Sequence, residues 1–134
     1  MIGKLGYAAM ILSALALALT GIGTFVIGKA PMTHWVLMAH ASAAPLFAIG
    51  LAVVALTWSE RAAKGCDCAC SCGSAMFWAT LVFGLVVILS GVVPMTPIFG
   101  TKGQHALYLT HRYGAILLAF TMLTHAVSFV RGRK

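Results

Sequence analysis

Acidic side chains are almost missing from this sequence: Glu60 and Asp67 are the only two, set against nine lysines and arginines and five histidines. Both fall in one short polar stretch, where they read as solvated charges. No carboxylate is left for a general acid and base pair elsewhere. Nor does the chain hold a phosphate-binding glycine loop or a nucleophile with a base at a suitable spacing. Charge of either sign is scarce. Only 8% of residues are charged while 61% are hydrophobic, and the mean hydropathy of +1.00 lies far outside the range of soluble domains. The net charge of +7 does not point to nucleic acid, because the basic residues form no continuous stripe. They are read as topology signals and as contacts for lipid phosphate or a bound anion.

What the chain has instead is long apolar runs. Residues 5–28, 30–59, 74–101 and 113–130 carry no formal charge. Each can cross a hydrocarbon core roughly 30 Å thick as a helix of about 20 residues. The first run is too long for the h-region of a cleaved signal peptide, which needs about 7–15 residues, and no clean cleavage site follows it. The spacing predicts an all-α integral membrane four-helix bundle, a single domain over 1–134, with helices near 5–28, 33–58, 75–96 and 106–130 and a polar loop over 59–74. Pro31, Pro94 and Pro97 account for helix ends, and Pro45 is expected to kink the second helix. An even number of spans puts Lys4, Arg61, Lys64, Arg131, Arg133 and Lys134 on one side and Lys29, Lys102 and Arg112 on the other. The positive-inside rule assigns the first side, with both termini, to the cytoplasm of a bacterial inner membrane.

The two halves echo each other. Leu19, Thr20 and Gly21 are matched by Leu89, Ser90 and Gly91 at an offset of 70, and His34 and His40 by His105 and His111 at an offset of 71. Helices two and four run in the same direction, so His40 and His111 are expected at equal depth. Each lies roughly one and a half turns below its outer partner and points about 120° away from it. An ionisable side chain at that depth is a functional candidate by default. His34 and His105, nearer the interface, read as wetted histidines.

Two imidazoles at one level on co-directional helices are the arrangement that axial ligation of a haem iron requires. Ala39, Ala41, Ser42, Ala43 and Ala44 around His40, Gly114 and Ala115 after His111, and Gly21, Gly23, Ser90 and Gly91 on the other helices thin out the same layer, although small residues also serve helix contact generally. Arg112, next to His111, is the first candidate to pair with a propionate.

Helix four reads HRYGAILLAFTMLTH, with His111 and His125 separated by 14 residues. That step spans about 21 Å and returns to within about 40° of the same face. Together with the HW...H run that opens helix two, this segment resembles the four-helix membrane cytochrome b subunits of respiratory formate dehydrogenases and hydrogenases, and related small bacterial cytochromes b. The resemblance implies haem b, exchange of electrons with quinone, and partner subunits of a redox complex. It implies His40 and His111 as ligands of an outer haem and His125 as one ligand of an inner haem. The chain departs from the pattern at the inner site. Position 54, fourteen residues after His40, is valine, and neither helix one nor helix three contains a histidine. Met10, Tyr7 or Met76 could approach that depth, and His125 could instead bind quinone or be a bundle histidine bonded to Thr121 or Thr124.

All four cysteines lie in CDCACSC, at Cys66, Cys68, Cys70 and Cys72. A reducing compartment argues against structural disulfides. The alternating spacing matches no usual zinc or iron–sulfur pattern, so an iron–sulfur cluster, a zinc site, a metallothionein-like copper or zinc trap, lipidation and no specific role all stay open. The expectation for the whole chain is an electron-transfer subunit held in membrane lipid. Its rivals are a metal-ion binding or transport protein and a structural anchor of a larger complex.

Overall fold

A computed structural model describes residues 2–28, 32, 34–63 and 71–131. These residues are helical almost throughout and contain no strand. The elements are α1 (Ile2–Val26), α2 (His34–Ala63), α3 (Ser71–Val92), a 3₁₀ turn at Val93–Met95 and α4 (Thr101–Arg131). Helices α2 and α3 reach further toward the expected cytoplasmic side than the charge-free runs alone suggest, and α4 starts at Thr101, well before its own run, because polar residues extend each helix beyond its apolar span. The chain gathers into two compact units, Met1–Glu60 and Arg61–Lys134.

Local chemistry explains the helix ends. α1 stops where Gly28 takes a φ of +73°, and its N–H bonds back to the Phe25 carbonyl at 3.1 Å. A left-handed residue at that point costs glycine little, which is why glycine so often closes a helix. α3 gives way at Val92 to the short turn led by Pro94, whose ring supplies no N–H for another α-helical bond. α2 continues through Pro45 as one helix.

Packing within each unit follows from which residues are small or hydroxylated. In the first, Gly6, Met10 and Ser13 of α1 and Ala43, Phe47, Gly50, Leu51 and Val54 of α2 are buried at helical spacing. A Cβ on Gly50 would sit 2.8 Å from the Met10 backbone nitrogen, and one on Gly6 would collide with Val53. The two backbones therefore approach closely at that level. Tyr7 stacks on Trp58 there, with ring centroids 5.5 Å apart and planes 5° from parallel. In the second unit the buried set is Phe77, Thr80, Gly84, Val87 and Ser90 of α3 with Gly114, Leu118, Thr121 and Met122 of α4.

The surface is apolar where that of a water-soluble protein is polar. Leu19 is 75% exposed and Leu56 81%, while Ser13, Thr80, Ser90 and Thr121 are buried. The buried hydroxyls donate to carbonyls one turn back on their own helices, as Ser13 does to Ala9 at 2.6 Å and Thr80 to Met76 at 2.8 Å. A lipid surround requires that internal satisfaction, because hydrocarbon offers no partner. Leu5–Val26, His34–Ser59 and Ala75–Met95 are each long and apolar enough to cross a membrane. The chain is thus read as a membrane protein.

Candidate functional site

The histidines singled out by their depth are each seated by the helix that precedes them. In the first unit, His40 of α2 is half-buried against the outer part of α1. Its Nδ1 lies 2.8 Å from the Thr20 hydroxyl oxygen. That hydroxyl is itself 2.7 Å from the Ala16 carbonyl and 3.2 Å from that of Leu17. A hydroxyl has one hydrogen. With it directed to Ala16, the contact to His40 forms with Nδ1–H as donor and the Thr20 oxygen as acceptor. The next residue, Gly21, lies against the ring: a Cβ there would stand 3.4 Å from His40 Cε1 and 3.9 Å from Nδ1, an ordinary contact.

The second unit repeats the device with different atoms. His111 Nδ1 is 2.9 Å from the Val87 carbonyl oxygen and 3.4 Å from the Ser90 hydroxyl. Ser90 also directs its hydroxyl to the Val87 carbonyl, at 3.1 Å. A carbonyl only accepts, so the bond to Val87 places the proton on Nδ1 and leaves the lone pair on Nε2. Gly91 is the clearance residue here, since a Cβ on it would lie 3.2 Å from both Cε1 and Nδ1 of His111.

The offset of 70 in α1 and α3 and of 71 in α2 and α4 therefore describes contacts as well as letters. Thr20 and His40 map onto Ser90 and His111, and Gly21 onto Gly91. Deeper in each hairpin, the Gly6 contact with Val53 maps onto the pair Met76 and Thr124, whose hydroxyl is 3.5 Å from the Met76 sulfur. In the same register Val54 corresponds to His125. The first is only 3% exposed and the second is half-buried.

The other candidates fall as follows. Arg112 is half-buried, with its guanidinium carbon 5.9 Å from the Tyr113 ring centroid. Gly114 is buried and faces α3, where a Cβ would meet Val87 Cγ2 at 3.2 Å. It thus serves the α3–α4 contact, as Gly21 and Gly91 serve the imidazoles. The Thr124 hydroxyl donates to the Phe120 and Thr121 carbonyls and the Thr121 hydroxyl to that of Leu118. His34 and His105 are exposed, in keeping with interfacial positions, and Lys102 is exposed as well. Lys29, Cys66, Cys68 and Cys70 lie outside the described residues, as does the side chain of Cys72 in the first turn of α3. Among the described residues no three of His, Cys, Asp and Glu gather closely enough to hold a metal ion by themselves.

Sequence reasoning put Thr20 and Ser90 in the repeat without assigning them a partner. The signal was present: in both halves a hydroxyl residue directly precedes the glycine at the level of the deep histidine. The Val87 carbonyl leaves no mark in a sequence. Comparison with known protein families, curated proteins and solved structures found no match.

Proposed function

We propose that this protein is a haem b-binding electron-transfer subunit of the membrane, with His40 and His111 as axial ligands. α4 supplies the fourth span through its charge-free run 113–130. One observation carries the reading: in each hairpin Nδ1 of a deep histidine is held by the preceding helix, so that Nε2 is the nitrogen with the lone pair. Haem-ligating histidines need that state, with the remote nitrogen tied to a carbonyl or hydroxyl that fixes tautomer and ring orientation. Each hairpin holds such a ring beside a glycine, and that pair of donors fits the group chemically. Bound haem would supply a one-electron couple, while the protein supplies ligands, burial and orientation. Arg112, close to His111, has the charge and reach to pair with a propionate. Quinone and a redox partner subunit are the proposed exchange partners, and a bacterial inner membrane the proposed site. His125 is proposed as a contact for a second haem or for quinone.

The test is optical. Membranes containing the protein are expected to give a reduced-minus-oxidised b-type spectrum, with the haem quantified as its pyridine haemochrome. His40→Ala and His111→Ala should each abolish the signal while the helix content by circular dichroism stays the same. A folded preparation from a haem-replete host with no haem would overturn the proposal.

A further inference from the structure

The two histidine seats have the same plan, but they do not use the same acceptor. Nδ1 of His40 faces a side-chain hydroxyl oxygen at 2.8 Å, and Nδ1 of His111 faces a backbone carbonyl oxygen at 2.9 Å. An amide carbonyl is the stronger acceptor and cannot be removed by substituting its side chain. A hydroxyl is weaker, can rotate, and depends on one residue. The Thr20 hydroxyl is held in place because its own hydrogen is engaged by Ala16 at 2.7 Å. Ser90 does not duplicate that role. At 3.4 Å it is the longer of the two contacts to His111, and it shares the Val87 carbonyl with the ring.

We infer that Thr20 is the positioning residue for His40, fixing its ring as the Nδ1–H tautomer, whereas His111 is fixed by the Val87 carbonyl and Ser90 is dispensable for that purpose. This rests on the proposed haem ligation only for its consequence, not for the tautomers themselves. The consequence is an unequal ligand pair. An imidazole whose N–H meets a better acceptor gives more electron density through its other nitrogen. His111 is therefore the stronger donor, and His40 is the one whose donor strength a side chain controls. Losing the Thr20 acceptor weakens electron donation from His40, disfavours the more positively charged ferric state and moves the midpoint potential upward.

The experiment uses the full chain in lipid nanodiscs. First, protein labelled with ¹⁵N-histidine is produced in a haem-deficient host, and the ring nitrogens are read by NMR. His40 and His111 are expected as Nδ1–H tautomers. Thr20→Val, which keeps the branched shape and drops the hydroxyl, should convert His40 to a mixed or Nε2–H population and leave His111 unchanged. Thr20→Ser should restore the wild-type pattern, and Ser90→Ala should leave both rings as they were. Second, haem-replete Thr20→Val should lose haem affinity about 10-fold, at the low end of what removing such a partner causes, and show the raised potential. Ser90→Ala should do neither.

Nε2–H for His40 in the wild type, or a tautomer unmoved by Thr20→Val, overturns the inference even if haem is bound. Absence of haem together with the expected tautomers overturns the proposed function and leaves the inference standing. A variant that merely disturbed packing would change the helix content or fail to be rescued by Thr20→Ser, and Thr20→Val with that outcome would also count against the inference.

Discussion

At the scale of single residues, Gly91 is the tighter of the two glycines beside the imidazoles. A Cβ on Gly91 would press on two ring atoms of His111 at 3.2 Å, closer than such contacts ordinarily sit. Gly23 has nothing within 4 Å of its would-be Cβ. Gly91→Ala is therefore expected to displace the ring and weaken retention of the proposed haem, on the order of 10-fold if the ring loses its orientation. Gly23→Ala should leave haem binding unchanged and stabilise α1 by up to about 0.5–1 kcal/mol, as alanine does in helix interiors. Haem titration of the two variants beside the wild type checks the contrast, and equal retention would show that clearance at Gly91 is not limiting. Much of this was legible beforehand, since Gly21 and Gly91 stood out at the level of the histidines. The structure sets both beside the imidazole rings themselves. Gly114, expected to leave room in the same layer, is in contact with α3.

At the scale of elements, helix existence followed from charge-free length, because hydrocarbon tolerates only a backbone that satisfies its own hydrogen bonds. The ends were harder to read. α3 begins at Ser71, earlier than the apolar run, because helix formation continues into polar residues that hydropathy does not count. Pairing of α1 with α2 depends on Gly50, whose added Cβ would meet Met10 backbone atoms at 2.8 and 2.9 Å. A side-chain tip can move aside, but a helical backbone cannot without shifting the whole contact. Gly50→Ala is expected to destabilise the first hairpin by about 1–3 kcal/mol, the usual cost of overpacking a tight site. Reversible unfolding in mixed micelles measures it, and a neutral result would mean that the helices separate more freely than their contact suggests. No periodicity argument could have found this approach, since it depends on which faces meet.

At the scale of the whole molecule, the arrangement of basic residues predicts orientation. Lys4, Arg61, Lys64, Arg131, Arg133 and Lys134 make one side basic, and Lys29, Lys102 and Arg112 the other. With four spans, both ends of the chain should face the cytoplasm. Fusions of a fluorescent reporter to either end should glow, and a reporter active only outside the cytoplasm should be silent at both and active after residue 100. A C-terminal fusion with the opposite behaviour would remove α4 from the membrane and return the fold to three spans. Three helices are long and apolar enough to cross a membrane, while the first half of α4 carries Lys102, His105, His111 and Arg112 within a few turns, and the fusions decide where α4 lies.

Twin hairpins need not stay twins along their whole length. Where the first has Gly6, Val53 and Val54, the second has Met76, Thr124 and His125. At that depth the first hairpin presents only hydrogen and methyl groups to its own contact, whereas the second presents a thioether sulfur, a hydroxyl and an imidazole, so the polar chemistry of the deeper level belongs to one hairpin alone.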